Sequence, residues 1–459
     1  MSSEKIAEEV IKLPSNIECG MSYVIKQSNP NNYTHGMFKY PCKFIPEIPR
    51  WAIKKYASKN TVVFDPFSGS GTTLLEANIN GYDAVGTEID DVAKKITSVK
   101  TKRFSEEEMQ LLNEYHKKII KSINNEKING YVPHIDNIDH WFPPITIKQL
   151  GRIKKCIDEI EYKEIKDFFE VVFVSIIKRV SYADDASPKP YVSTKIKKEP
   201  PTVIEEYEKT YLRYYKMLEE LSGVKHLGNS TLIEGDALNF KITKKIDLVI
   251  TSPPYINAFD YGRTMRLENL WLGLLTEKDL RNKKANYIGT EKINKEKEEE
   301  NLSVLSDSDL LKCYYDCIIL QDKKRALVVK KFFEDMKQNM MSVYNILEKN
   351  GKYVIVIGNS NIRKTEVESW RVLKEIGEKM TYLVKTKLKI QTGEPLFGTV
   401  LIDCDLIVYL HINDVLLKKR TELRNVDFTN AKNMQTEIEE EIKKSNIKVI
   451  TLEVSEKMK

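Results

Sequence analysis

The sequence lacks the marks of a secreted, membrane or metal-holding protein. Its 459 residues include only six cysteines, scattered without the spacing of metal ligands. Cys313 and Cys317 stand four apart in a helical stretch with no histidine nearby. A disulfide scaffold and a zinc module are therefore both excluded, and the thiols are expected to be reduced. Long hydrophobic runs are also missing. Val171 to Ile177 is far shorter than the roughly 20 residues that cross a bilayer. Met1 to Leu13 mixes Glu and Lys with Ile and Val and has neither an apolar signal core nor a cleavage site. The expectation is a soluble cytoplasmic protein without a membrane partner. Charge of one sign is lacking too. Against 73 basic residues stand 67 acidic ones, a formal net charge of +6, so any nucleic-acid surface must be local. No internal repeat is visible.

What is present is a substantial core, with 41% hydrophobic residues. Seven short apolar segments read as strands: Thr61–Phe64, Ala84–Glu88, Thr231–Glu234, Asp247–Thr251, Tyr353–Ile357, Leu383–Ile390 and Asp405–Leu410. Most are β-branched without strict alternation, as expected of strands covered on both faces. Helical stretches separate several of them, among them Thr72–Asn80, Val92–Val99 and Val328–Leu347. The pattern predicts a doubly wound α/β sheet. Between the second and third strands lies a mostly helical segment, 101–227, too long for a loop. It includes the amphipathic stretches Ile147–Tyr182 and Ile204–Leu221, and we read it as an inserted domain. A second insertion, Thr276 to Ser308, is dominated by charge and reads as a solvated helix or mobile loop. The tail 412–459 is a charged extension.

The first strand runs into Asp65-Pro66-Phe67-Ser68-Gly69-Ser70-Gly71-Thr72-Thr73, and a helix starts there. Gly69 and Gly71 permit a sharp turn and a close approach of backbone to ligand, and the helix start offers free N–H groups. Strand–loop–helix units of this kind hold nucleotide-like cofactors at the carboxyl edge of a sheet. A Walker loop is excluded because Thr72 follows Gly71 with no lysine between. A dinucleotide fingerprint wants a small residue where Leu74 stands. A cofactor without phosphate needs neither feature. A plain tight turn is the remaining alternative. Asp65, Phe67, Gly69, Gly71 and Thr72 are the candidate binding residues of the loop. The second strand ends Gly86-Thr87-Glu88-Ile89-Asp90, and Glu88 is placed to accept hydrogen bonds from both hydroxyls of a ribose, with Asp90 as second choice. Asp236, at the end of the third strand, could accept from an exocyclic amine of an adenine ring, although an Asp after Gly is more often a turn residue.

The fourth strand ends Thr251-Ser252-Pro253-Pro254-Tyr255. Consecutive prolines fix φ and stop the ladder, so the backbone here is rigid. An exocyclic amine on a heteroaromatic ring is a poor nucleophile because its lone pair is delocalised. Two acceptors engaging its two hydrogens would draw nitrogen toward a tetrahedral geometry. Ser252 Oγ and the Pro253 carbonyl, held by Pro254, could be those acceptors, and Tyr255 could stack on the ring. Such chemistry needs orientation rather than a metal or a covalent nucleophile. The alternative is a proline turn with Tyr255 as ordinary packing.

The two motifs together resemble the S-adenosylmethionine-dependent DNA amino-methyltransferases, which modify N4 of cytosine or N6 of adenine. The resemblance covers about residues 33–100 and 228–411. It implies a Rossmann-like seven-stranded methyltransferase sheet with an antiparallel strand near one edge, formed by residues 1–100 and 228–411, with 101–227 as a helical insertion for target recognition. It implies S-adenosyl-L-methionine as cofactor, no metal, and double-stranded DNA as partner, with a cognate restriction endonuclease as a further one. Asp65, Phe67, Gly69 and Gly71 would line the methionine part of the cofactor, Glu88 the ribose and Asp236 the adenine. Thr34-His35-Gly36 through Tyr40-Pro41-Cys42-Lys43-Phe44-Ile45-Pro46 resembles the segment that completes the cofactor pocket. Asp260-Tyr261-Gly262-Arg263 resembles the continuation of the clamp. Ser-Pro-Pro-Tyr is typical of the N4-cytosine enzymes, so that branch is expected. N6-adenine and RNA-base methylation, and a silent DNA-binding module, are the alternatives. The insertion follows the second strand rather than the third, which departs from the arrangement it otherwise resembles.

The best candidate for a DNA surface is Lys178 to Lys198. Lys178, Arg179, Lys189, Lys195, Lys197 and Lys198 there face only Asp184 and Asp185, and Tyr182 and Tyr191 stand among prolines and serines. Cations suit phosphates, and aromatics suit bases. A solvated helix end is the competing reading. Trp141-Phe142-Pro143-Pro144 could be a recognition wedge, though a packed hinge is the plainer reading.

Overall fold

The computed structural model describes residues 8–10, 21–25, 31–195, 197–256, 261–380, 386–392, 399–403 and 407–409, with the backbone alone for the segments before residue 31, for Tyr261 and for those after residue 380. In chain order the strands are β1 (Glu8–Val10), β2 (Met21–Ile25), β3 (Val62–Asp65), β4 (Asp83–Gly86), β5 (Ser230–Leu232), β6 (Ile246–Thr251), β7 (Leu347–Val356), β8 (Ser360–Ile362), β9 (Thr365–Val367), β10 (Thr386–Thr392), β11 (Thr399–Asp403) and β12 (Ile407–Tyr409). Ten of them form one sheet in the order β1-β2-β10-β12-β11-β7-β6-β3-β4-β5, and β8 and β9 pair separately. The five strands β7-β6-β3-β4-β5 are all parallel. This is a mixed α/β fold with a mainly parallel centre.

Each of the seven expected segments overlaps a strand of this sheet, but the sheet has ten strands among the described residues. The additional ones are β1, β2 and β11. β11 runs antiparallel to both β7 and β12, so the antiparallel strand lies inside the sheet and not near its edge. The apolar region from Thr399 to Leu410 carries two strands, β11 and β12, where the sequence suggests only the second.

Period-two alternation explains the layers. Val63, Leu248, Ile250, Val354 and Val356 share one core with Ile48, Trp51, Ala52, Leu74 and Ala77, on the helices Glu47–Tyr56 and Thr72–Ile79. Their neighbours Phe64, Val249, Tyr353 and Ile355 share the other with Phe332, Phe333, Met336 and Leu373, on the helices Lys323–Ile346 and Ser369–Lys379. Both faces are covered, as near-continuous apolar strands require.

The segment 101–227 is mostly helical: Glu106–Ile123, Pro144–Asp158, Lys163–Ile177 and Val203–Ser222 share a third core. The stretch Ile147–Tyr182 is two helices and not one, broken at Glu159–Tyr162. This core also takes Val92 and Ile96 from the helix Asp91–Thr101 and Leu267, Leu270 and Trp271 from the helix Arg266–Leu272. Phe142 is fully buried with its ring edge-on to Trp271, centroids 5.6 Å apart, which is packing and not a wedge. The charged segment Thr276–Ser308 is ordered as short helices, with Glu298 and Lys330 buried as an ion pair at 2.7 Å. The tail 412–459 lies outside the described residues. Among the described residues no helix is long and apolar enough to cross a membrane.

Candidate active site

The carboxyl ends of β3, β4 and β6 meet at one pocket of about 920 Å³, counting its open mouth, a volume suited to a small organic ligand. The glycine loop forms one side. Asp65 Oδ1 accepts from Phe67 N–H at 2.9 Å and from the Thr251 hydroxyl at 2.5 Å. Burial pushes the Asp65 carboxyl up to about 6, against those donors. Ser68 N–H and Oγ–H both donate to the Thr87 carbonyl, at 3.1 and 2.8 Å, and Thr87 N–H donates to the Asp65 carbonyl at 3.1 Å. Gly69 and Gly71 have φ of +49° and +76°, a region that side chains with a Cβ rarely adopt.

The loop is braced from beneath by one helix. Thr97 Oγ1 donates to the Gly69 carbonyl at 2.9 Å and Lys100 Nζ to the Ser70 carbonyl at 2.6 Å. Lys100 is fully buried, and that burial drives its amine well below the ordinary lysine range. Below lie the Arg50–Glu76 and His35–Glu76 pairs at 2.7 and 2.9 Å. Desolvation lowers His35 to about 4, so its imidazole is neutral. Lys43 Nζ donates to the His35 carbonyl.

Glu88 lies across the mouth of the loop. Its Oε2 accepts from Gly69 N–H and its Oε1 from Ile89 and Asp90 N–H, all at 2.8 Å. Burial nevertheless raises the carboxyl to about 7. Asp90 also lines the pocket, and its Oδ1 caps Asp91–Thr101 by accepting from Ala93 N–H at 2.9 Å.

Asp236 opens the opposite wall. Its Oδ1 accepts from Leu238 and Asn239 N–H, both at 2.8 Å, so it is a turn residue that also faces the pocket. The turn is anchored to one helix: Asn339 Nδ2 donates to the Ala237 carbonyl at 2.6 Å and Ser342 Oγ to the Leu238 carbonyl at 2.9 Å. The buried Tyr353 hydroxyl donates to Asn339 Oδ1 at 2.5 Å, which fixes the amide's orientation.

Of the expected loop and edge residues, Asp65, Phe67, Gly69, Thr72, Glu88 and Asp236 line the pocket together with Ser252 and Pro254 of the clamp. Pro253 is buried behind them. Gly71 does not line the pocket; a Cβ there would meet Thr97 Cγ2 at 2.7 Å, so its constraint is against a helix and not a ligand. The Tyr255 ring packs beside Gly358, 3.6 Å from where a Cβ would stand. Tyr40, Cys42, Lys43 and Phe44, from the segment expected to complete the pocket, line it. Asp260 lies outside the described residues, and Tyr261–Thr264 is one helical turn. Sequence reasoning missed Asn286, Tyr287 and Ile288, which close the pocket from within the charged segment. The apolar pair Tyr287-Ile288 in a charged surrounding was the available signal. Thr97, Lys100 and Asn339 were missed as well, and nothing local to them distinguishes them.

The basic patch is partly spent on itself. Arg179 pairs with Asp185 at 2.8 Å and with Glu206 at 3.3 Å. Lys198 Nζ donates to the Lys178 and Ala183 carbonyls at 2.9 Å and pairs with Asp185 at 3.0 Å. Lys178 Nζ donates to the Ser187 carbonyl. These three staple the loop. Lys195, Lys197 and Tyr191 are exposed, and Lys189 is half-buried.

Residues 2–99 match the family model for DNA methylases of the N6 and N4 type. Among curated proteins, the chain is 26% identical over 413 residues to the type II methyltransferase M.MvaI of Kocuria varians, covering 82% of this chain and 88% of that one. It is 29% identical over 328 residues to the type II methyltransferase M.BsoBI of Geobacillus stearothermophilus, covering 65% of this chain and 62% of the relative. To the type II methyltransferase M.AvaI of a Nostoc species it is 24% identical over 410 residues, with coverages of 80% and 83%. Together with a pocket lined by the glycine loop and by Ser252 and Pro254, these similarities support the family of S-adenosylmethionine-dependent DNA methyltransferases that modify N4 of cytosine or N6 of adenine.

Proposed function

We propose that this chain transfers a methyl group from S-adenosylmethionine to the exocyclic N4 amine of a cytosine flipped out of duplex DNA, as the modification enzyme of a restriction-modification system. The observation that carries this reading is that Ser252 and Pro254 line the same pocket as Asp65, Gly69 and Glu88. The parallel centre with antiparallel β11 suits a Rossmann-like methyltransferase sheet.

The residues present fit the cofactor. Glu88 and Asp236 are acceptors suited to ribose hydroxyls and an adenine amine, and Phe67 and Tyr40 offer apolar faces. The Asp65 carboxylate suits a ligand that carries a sulfonium cation. Bound S-adenosylmethionine supplies the electrophilic methyl group. The chain's own part is to present the amine. Ser252 Oγ and the Pro253 carbonyl accept its two hydrogens and direct the lone pair at the methyl, and Tyr255, set against Gly358, stacks on the base. Proximity and orientation account for most of the acceleration, and base extrusion costs a few kcal/mol. Ser252 as the first clamp residue supports N4 of cytosine over N6 of adenine.

The helical segment 101–227 serves target recognition in this reading, with Lys189, Tyr191, Lys195 and Lys197 meeting DNA from a loop that Lys178, Arg179 and Lys198 hold in shape. The relatives' designation as type II methyltransferases supports a restriction-modification role with a cognate endonuclease. Incubation with mixed-sequence duplex DNA and methyl-labelled cofactor, followed by nucleoside mass spectrometry, tests the proposal. Label in N4-methylcytosine is expected. Label in N6-methyladenine overturns the choice of base, and label in RNA alone overturns the substrate.

A further inference from the structure

We propose that Thr251 is a positioning residue: its hydroxyl fixes the end of β6, and with it the Ser252 clamp, against Asp65 of the glycine loop, so that amine and methyl donor are held at one separation. The inference rests on the methyl-transfer reading and adds a residue to it.

The backbone alone does not set that separation. The β3–β6 ladder has two partner pairs, Val63 with Leu248 and Phe64 with Val249. Beyond them the two strand ends, one leading into the loop and one into the clamp, share no ladder partners. On its other side β6 stays paired to β7 through Thr251 and Ile355. The first link past the ladder is the Thr251–Asp65 bond, 2.5 Å long, between two residues at most 2% exposed. The same Asp65 oxygen takes Phe67 N–H, which closes the loop. The Asp65 carbonyl takes Thr87 N–H, next to Glu88. Three strand ends therefore converge on Asp65: the loop, the Glu88 edge and, through the Thr251 side chain, the clamp. A charge-assisted bond in a dry setting is shorter and stronger than a neutral one. Thr251 does not line the pocket; its hydroxyl is spent on Asp65, and it acts through Ser252.

Thr251→Val keeps the β-branched shape and removes the hydroxyl, whereas Thr251→Ser keeps the hydroxyl. The test compares both with wild type in four measurements: cofactor Kd by calorimetry, base extrusion by 2-aminopurine fluorescence, thermal midpoint and single-turnover methyl transfer. The expected result for Thr251→Val is transfer slowed about 10- to 100-fold, the scale of an ångström-level misplacement, with cofactor Kd and extrusion close to wild type. Thr251→Ser is expected to restore the rate. Wild-type transfer by Thr251→Val overturns the proposal. So does a parallel loss of cofactor affinity and thermal stability in both variants, which marks a merely structural residue. Failure of the wild type itself to bind cofactor or to methylate any base is seen before a variant is made, and it removes the methyl-transfer reading together with this inference.

Discussion

The two sides of the pocket are built by different means. On the loop side, Asp65 to Thr73 and Glu88 come from two contiguous runs of sequence. Their polar atoms are tied to one another and to the helix beneath through Thr97 and Lys100. On the opposite side, Asp236–Leu238 and Asn286–Ile288 come from segments with no motif, and the first of these is held by Asn339 and Ser342 on a helix about a hundred residues further along the chain. A strained backbone needs a fixed local sequence, because positive φ and close approach restrict residue choice at each position. A wall held through the Ala237 and Leu238 carbonyls restricts fewer of its own side chains, Asp236 excepted.

This contrast can be broken most severely at Gly71. Valine there must adopt a φ near +76° and enter the space of Thr97, with strain of about 1–3 kcal/mol before the clash is counted. Cofactor affinity should fall tenfold or more, at about 1.4 kcal/mol per decade, and the thermal midpoint should fall with it. Unchanged calorimetry and melting would show that the loop is more pliant than its bonding implies. A smaller effect is expected on the other wall. Asn339→Leu strips the Ala237 carbonyl and the Tyr353 hydroxyl of their partner, costing about 1–3 kcal/mol for buried groups left unpaired. Cofactor Kd should weaken while DNA affinity without cofactor stays as it was; equal weakening of both would mean that the helix does not serve this wall in particular.

The mildest test is pH. The Glu88 carboxyl, raised to about 7 by burial, must be ionised to accept ribose hydroxyls, so cofactor affinity should fall by up to about tenfold per pH unit below that value. The same raised value gives the free protein the opposite trend: the proton's stabilising contribution is complete below the ordinary carboxylate range and is lost as pH rises through about 7. Glu88→Gln should bind more weakly and flatten the affinity profile in that window. An undiminished acid limb in the variant would assign the titration to another group.

Much of the loop side was legible in sequence, and so were the positions of seven strands, because glycines, prolines and β-branched runs act locally. Three things were not. β11 was hidden in an apolar region that also holds β12, because composition does not divide one apolar run into two strands. Asn286–Ile288 were masked by surrounding charge. The bonds from Thr97, Lys100, Thr251 and Asn339 depend on which elements become neighbours, and that is decided by sheet order. Gly71 was read as a cofactor contact, whereas it does not line the pocket and its neighbour is the Thr97 side chain of a helix.

A crystal structure of the full chain with S-adenosylhomocysteine tests the proposed site most directly. Ribose hydroxyls are expected on Glu88, the adenine toward Asp236, and the sulfur between the Asp65 loop and Ser252. A ligand bound away from the glycine loop, or with its adenine lodged in the Ser252–Tyr255 clamp, would contradict it.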